Sequence, residues 1–276
     1  MGKSQVQGQT PTMIIPSGTD IEVDVHGQLN ISTPGNLVIE NSGNFGISAA
    51  RREVSVQGAT GRAALITRAY THLFGAVVIF VLLEWWLFAS GLAERIARPL
   101  LSVNWLYVLG AYMIVAWIAS HFAHRSTSRA GQYAALMAYI MAKTVIFVPL
   151  LTMAERRAPG VIGSAGAMTV AGFAALTAIA FTTRRDFSFL RGLLLWGGIV
   201  ALGLIVTALL SGFTLGPLFS VAMVGYAGAA ILYDTSNILH RYRTDRYVAA
   251  ALELFASVAL LLWYLVRLYS RFPRSR

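Results

Sequence analysis

The chain has 276 residues, of which 56% are hydrophobic and only 12% are charged, and its formal net charge is +10. Soluble domains carry about 25% charged residues, so this composition excludes an ordinary soluble domain and indicates an integral membrane protein. The absence of cysteine excludes disulfides, thiolate metal sites and cysteine nucleophiles. The basic residues lie in short stretches between apolar runs, where they orient helices and meet lipid headgroups, so we expect no nucleic-acid partner.

The first 61 residues are polar and contain a short repeat between about residues 20 and 48. Apolar pairs recur there every eight residues and are separated by Gly-containing turns. The pairs are Ile21/Val23, Leu29/Ile31, Leu37/Ile39 and Phe45/Ile47. This pattern predicts a small Gly/Asn-rich β-repeat, whose open edges favour self-association; the alternative is a disordered tail with chance periodicity. Residues 58–61 predict a linker to a second domain, 62–276.

The second domain contains seven apolar runs, each about 20 residues long and therefore able to cross a hydrocarbon layer of ~30 Å. The predicted spans are Ala69–Ala89, Val103–Phe122, Tyr133–Ala154, Val161–Thr182, Phe189–Leu210, Phe213–Asn237 and Tyr247–Leu268. We therefore predict an all-α integral membrane protein, a seven-helix transmembrane bundle preceded by the β-repeat. Only Ser211 and Gly212 separate the fifth and sixth runs, which predicts a tight hairpin.

The distribution of arginines predicts the orientation of the bundle. The N-terminal flank and the second, fourth and sixth loops are richer in arginine than the loops on the other side. The positive-inside rule then places the N-terminus in the cytoplasm and, after seven crossings, the C-terminus outside. The basic C-terminal tail, with Arg271, Arg274 and Arg276, opposes this assignment, but the loops agree with one another.

Asp234 is the strongest functional candidate, because it ends a long apolar run. No charged residue occurs from Phe213 to Leu232. An ionisable group at the centre of a membrane helix costs about 2.5–3.5 kcal/mol on insertion scales, and less towards the interface. A chain that keeps such a group commonly uses it for proton or ion handling; the alternative is an aspartate that marks the helix end.

Glu253 is a candidate partner for Asp234. The last two predicted helices run antiparallel, and the two carboxylates lie at similar distances from the centre of the connecting loop. Facing carboxylates cannot both ionise cheaply and would share one proton, which makes a pH-sensitive latch between the helices. The alternative is that Glu253 faces a basic loop residue such as Arg246 and anchors the helix end.

Two further charges, Glu84 and Lys143, are isolated within the first and third apolar runs. A buried ion pair between them would neutralise both charges and fix two helices against each other. This structural interpretation is favoured over a role in a conduction path.

Four histidines test the hypothesis of a membrane metal enzyme. His121 and His124 have helical spacing, and His72 and His240 are predicted near the same membrane face, so with Asp234 they could form a zinc site. They lie towards helix ends or in loops, however, and no motif fixes their geometry. We therefore expect no metal cofactor, no catalytic residue and no enzymatic activity.

Three stretches of the sequence resemble the Bax inhibitor-1 family of membrane proteins. The most specific is Tyr233-Asp234-Thr235-Ser236 followed by Ile238; residues 182–190 and 67–73 support it by order and spacing. The resemblance covers about residues 65–270 and omits the repeat. It implies a seven-helix bundle with a central last helix, and a proton-regulated calcium leak channel with two facing aspartates as its pH sensor. It also implies a bacterial inner-membrane location and an association with a membrane-bound AAA protease.

Only the first of the two sensor aspartates carries over to this sequence. Asp234 matches it, whereas the second position falls on Ser257, one helical turn beyond Glu253. Either Glu253 substitutes from the neighbouring turn, or the acidic pair is absent from this chain. The resemblance implies Ca²⁺ as the transported ion. The alternative function is a non-conducting membrane protein that modulates a protease and uses the N-terminal repeat for docking or assembly.

Overall fold

The computed structural model describes residues 20–23, 29–32, 37–39, 47–126, 128–183, 185–243 and 245–271. The chain divides into two units, residues 1–57 and 58–276. The first contains strands β1 (Asp20–Val23), β2 (Leu29–Ser32) and β3 (Leu37–Ile39), paired antiparallel in chain order. The other residues of the predicted repeat, apart from Ile47 and Ser48, lie outside the described residues. The repeat, its self-association and the domain boundary at residue 61 therefore stay predictions.

The rest of the described chain forms eight helices. Their bounds are α1 (Ile47–Ala89), α2 (Leu92–Ser102), α3 (Trp105–Arg125), α4 (Arg129–Arg157), α5 (Val161–Thr183), α6 (Leu190–Ser211), α7 (Pro217–His240) and α8 (Tyr247–Tyr269). All except α2 contain a stretch long and apolar enough to cross a membrane, which in α1 is Gly61–Ala89. The all-helical, seven-span membrane fold is thus confirmed, although the predicted linker residues 58–61 lie within α1.

Helix α2 corrects the prediction of a simple loop between the first two spans. Its buried residues Ala93 and Ala97 form a small apolar cluster with Leu87 of α1 and Val148 of α4. The loop between α6 and α7 is also longer than the predicted hairpin and covers residues 212–216. Gly212 begins it with a φ of 71°, a left-handed conformation that glycine adopts without steric cost.

Helix α8 lies at the centre of the bundle, packed against α3, α4, α5 and α7. An aromatic cluster joins it to α1 and α4. The ring of Phe80 lies 5.1 Å from Phe147 and 5.9 Å from Phe255, and Phe147 lies 5.1 Å from Trp263. Edge-to-face pairs of this kind add about 0.5–1.5 kcal/mol each beyond the area they bury. The cluster holds α8 in place between its neighbours, with both candidate carboxylates at one end of the bundle.

Candidate functional site

Asp234 lies in the last turns of α7 and is buried against α8. Its Oδ2 atom accepts a hydrogen bond of 2.6 Å from the Oγ atom of Ser257. Both side chains are buried, at 8% relative exposure each. The structure therefore brings together the acidic residue of the sequence motif and the serine that stands where the resemblance placed a second acid.

The residues after Asp234 explain why a membrane helix can bury a run of polar side chains. Thr235 accepts a long hydrogen bond of 3.4 Å from the hydroxyl of Tyr70 on α1. Ser236 Oγ accepts one of 3.0 Å from the backbone N–H of Phe187, in the loop between α5 and α6. Thr235 and Ser236 thus each have a hydrogen-bond partner, as buried polar groups require. The motif thus ties α7 to α1 and to the α5–α6 loop, while Asp234 ties it to α8.

An exposed ion pair holds the same loop against the end of α7. Asp186 Oδ2 accepts a hydrogen bond of 3.0 Å from Arg241, and its Oδ1 accepts one of 2.9 Å from the backbone N–H of Ser188. These two donors, first the Ser188 N–H and then Arg241, lower the pKa of Asp186 below its ordinary value. The pair is solvent-exposed, so we assign it a positioning role.

The Glu253 carboxylate contacts Tyr242 and His124, and not Asp234. The Tyr242 hydroxyl donates to Glu253 Oε2 at 2.5 Å, and His124 Nε2 lies 2.8 Å from Oε1. Among the described residues Asp234 and Glu253 share no hydrogen bond, so the structure does not form the directly shared proton that depth alone suggested. Arg246, the alternative partner, instead donates to the Ser126 carbonyl at 2.8 Å.

Tyr242 is a contact of the candidate site that the sequence argument missed. It follows α7 in the connecting loop, and its hydroxyl reaches back to α8. Burial raises the pKa of Tyr242 above its ordinary value; the Glu253 carboxylate raises it further, and Asp234 adds to the effect. The tyrosine is therefore close enough to both carboxylates to experience their charge. The only sequence signal was one aromatic residue between two arginines, directly after the motif.

The predicted pair Glu84–Lys143 is not formed. Both side chains are buried, but Lys143 Nζ lies over two aromatic rings, 5.0 Å from the centroid of Tyr112 and 5.7 Å from that of Tyr139. No described residue makes a hydrogen bond to the Glu84 carboxylate. The prediction was based on the isolation of both charges in apolar runs, and this isolation does not fix the direction in which each side chain leaves its helix.

The four histidines occupy separate places. His72 Nε2 contacts the Tyr133 hydroxyl at 2.8 Å, His124 contacts Glu253, and the His240 Nδ1 atom lies 3.0 Å from the Ser236 carbonyl. His121 stacks on a tryptophan of its own helix. In the part of the chain that the structure describes, no three histidine or acidic side chains form a group able to hold a metal ion.

Comparison with known families matches residues 62–274 of this chain to the model described as "Inhibitor of apoptosis-promoting Bax1". The matched segment covers the whole transmembrane bundle. It also agrees with the range over which the sequence resembled this family.

Several individual proteins are similar over shorter segments. An uncharacterized protein of Pseudomonas aeruginosa is 38% identical over 112 residues, covering 40% of this chain and 49% of that protein. The "Modulator of FtsH protease YccA" of Escherichia coli K12 is 36% identical over 87 residues, 31% of this chain and 39% of that protein. "Bax inhibitor 1" of Schizosaccharomyces pombe is 36% identical over 96 residues, 32% of this chain and 34% of that protein. Each alignment covers less than half of the relative.

Proposed function

Because this chain belongs to the Bax inhibitor-1 family, we propose that it is a proton-responsive protein of a bacterial inner membrane with its N-terminus in the cytoplasm. In this proposal Asp234 controls the packing of α7 on α8 and thereby a calcium leak through the bundle. The observation that carries the proposal is the buried hydrogen bond between Asp234 and Ser257, which joins these two helices. The inner-membrane location is supported by a YccA relative from Escherichia coli O6:H1 that is named an inner membrane protein.

The two protonation states of Asp234 make different demands on this interface. A protonated carboxyl group is neutral, and with the Ser257 hydroxyl it forms a compact pair that an apolar interior tolerates. An ionised carboxylate in the same place is buried and has Ser257 as its side-chain donor among the described residues, and a buried charge without full compensation costs several kcal/mol. Loss of the proton therefore favours an arrangement in which water or a cation reaches Asp234 and α7 moves away from α8.

Glu253 has a secondary role in this mechanism. It is about one-third exposed and already compensated by Tyr242 and His124, so it holds the loop and α3 against α8. Its charge should also attract a cation that approaches Asp234 from that end of the bundle. We expect its neutralisation to change the amplitude of the leak more than its pH response.

Calcium flux into proteoliposomes between pH 6 and pH 8 tests this proposal. We expect flux to rise with pH in the wild type and to lose this dependence in Asp234→Asn, because the amide keeps the size of the side chain but cannot ionise. Asp245→Asn is the matched control, since Asp245 lies in the exposed loop and pairs with Arg243; it should respond as the wild type does. A pH response that persists in Asp234→Asn, or a wild type without flux, would refute the assignment.

A second candidate function is modulation of a membrane-bound AAA protease, supported by the similarity to the modulator of FtsH protease. In this case the polar N-terminal segment recruits the partner and the bundle anchors it. Cross-linking followed by purification, with the full chain and with residues 1–61 deleted, tests the docking role. Loss of a protease partner on deletion would support it, and an unchanged set of partners would contradict it.

A further inference from the structure

A cavity of about 640 Å³ lies in the half of the bundle opposite Asp234. Helices α2, α3, α4, α6, α7 and α8 and the α6–α7 loop line it, and its walls are largely apolar. Trp105, Leu202, Ile205 and Leu260 are among the lining residues. Its volume falls within the range of about 300–1,000 Å³ that is typical of sites for small organic ligands.

The charged residues that line the cavity are all basic. They are Lys143, Arg157, Arg267 and Arg271, and no aspartate or glutamate is among the described lining residues. Two of the arginines converge: Arg267 Nη2 and Arg271 Nη2 donate to the same carbonyl, that of Leu215, at 3.3 and 2.9 Å. Two guanidinium groups held side by side repel each other, and an anion between them would relieve this repulsion.

Lys143 forms the far end of the cavity. Lys143 is buried at 7% relative exposure, and its Nζ atom lies over the rings of Tyr112 and Tyr139. At about 1.5 Å per residue, the stretch of α4 from Lys143 to Arg157 spans about 21 Å. This length exceeds the ~15 Å depth of one leaflet, half of a hydrocarbon core of ~30 Å. The cavity therefore runs from the arginines towards the middle of the membrane.

We propose that this cavity binds an anionic phospholipid. The phosphate lies between Arg267 and Arg271, whose planar donor groups match its oxygens. One acyl chain follows the apolar walls towards Lys143. A cation is a poor occupant because all the charges lining the cavity are positive. A free inorganic anion would leave the apolar walls uncovered, whereas a lipid pairs its phosphate with Arg267 and Arg271 and covers the apolar walls with its acyl chain.

Native mass spectrometry of the purified full chain tests the proposal. The protein in dodecyl maltoside micelles is titrated with equimolar phosphatidylglycerol and phosphatidylcholine that carry identical acyl chains. Each basic residue near an anionic lipid contributes about 1 kcal/mol, so two arginines predict a preference for phosphatidylglycerol of about 30-fold, or about 2 kcal/mol. We expect this preference to fall to near parity in Arg267→Gln/Arg271→Gln and to persist in Arg267→Lys/Arg271→Lys.

The control variant Arg185→Gln/Arg191→Gln removes two exposed arginines at the other end of the bundle and should keep the wild-type preference. Ala208 lines the cavity, and Ala208→Leu should weaken the binding of both lipids by narrowing the space for the acyl chain.

If the double variant Arg267→Gln/Arg271→Gln does not fold, Arg271→Gln alone should lose about fivefold in its preference for phosphatidylglycerol. The proposal is overturned if the wild type binds both lipids equally or if the folded glutamine variant keeps its preference. Displacement of the lipid by inorganic phosphate alone would also overturn it, because the site would then be one for a free anion.

Discussion

The contact between Asp234 and Ser257 should couple these two residues energetically. If it stabilises the packing of α7 on α8, the double variant Asp234→Ala/Ser257→Ala should be less destabilised than the sum of its two single variants predicts. A double-mutant cycle isolates this pairwise free energy, because the cost of each truncated side chain appears in both arms and cancels.

The expected size of the coupling follows from the geometry of the bond. Hydrogen bonds between membrane helices contribute about 0.6 kcal/mol on average and about 1.7 kcal/mol at most in such cycles. At 2.6 Å between two buried oxygens, this bond should lie near the upper value, at about 1.5 kcal/mol. In the proposed mechanism, loss of the proton moves α7 away from α8 and breaks this bond. If the carboxyl group ionises between pH 5 and pH 8, the coupling should therefore fall from about 1.5 kcal/mol at pH 5 towards zero at pH 8.

The assay is reversible unfolding in mixed micelles, followed by circular dichroism at pH 5 and pH 8. The adjacent bond from Tyr70 to Thr235 gives a matched control cycle, with Tyr70→Phe and Thr235→Val. Its length of 3.4 Å predicts a coupling below about 0.5 kcal/mol, within the usual error of additivity. At pH 5, a coupling for Asp234 and Ser257 no larger than this control would refute the structural role of the contact. An equal coupling at both pH values would refute its response to protons.

Two further predictions concern the neighbouring contacts. The pKa of Tyr242 is raised in the folded protein by burial and by Glu253. Its contribution to stability is therefore complete below the ordinary tyrosine pKa of about 10 and is lost as the pH rises above that value. In pH-dependent unfolding, Tyr242→Phe should lose less stability at alkaline pH than the wild type does, and an identical loss would contradict the assignment. Gly198→Ala should destabilise the contact between α6 and α7, because the added Cβ would lie 2.9 Å from the Tyr226 hydroxyl. In the control variant Gly203→Ala the added Cβ meets nothing within 4 Å, so this change should be neutral or stabilising. Equal midpoints of thermal unfolding for the two variants would show that Tyr226 moves aside at no cost.

Hydropathy predicted the spans because each crossing needs a continuous apolar run, and this requirement is local in the sequence. Helix α2 was not predicted because the charged residues Glu94, Arg95 and Arg98 lower the mean hydropathy of this segment. Its apolar residues follow helical spacing instead, with Ala93 and Ala97 one turn apart on the buried side. A search for amphipathic periodicity, and not only for apolar runs, would have indicated a short helix lying beside the bundle.

The sequence alone reduces the candidate partners of Asp234 to two residues but does not decide between them. Counting along antiparallel helices gives depth to within about one turn, or ~5.4 Å, and this range includes both Glu253 and Ser257, which lie one turn apart. The choice between them depends on side chains from elsewhere in the chain. Tyr242 and His124 bind Glu253, and this leaves Ser257 as the partner of Asp234.

Helix α8 carries residues of both proposed sites, with Ser257 near its middle and Arg267 near its C-terminal end. At about 1.5 Å per residue, the ten residues between them span about 15 Å, so the two sites lie at different depths along the same helix. The buried packing of α8 against four other helices resists bending between the two sites. A displacement of α8 at Asp234 would therefore also change the position of Arg267 and Arg271 relative to Leu215.

An anionic lipid that binds one arrangement of α8 more tightly would shift the equilibrium at the Asp234 site by the same free energy. Phosphatidylglycerol should therefore change the pH response of the leak in the wild type and not in Arg267→Gln/Arg271→Gln. Equal effects of the lipid on both proteins would show that the two sites act independently.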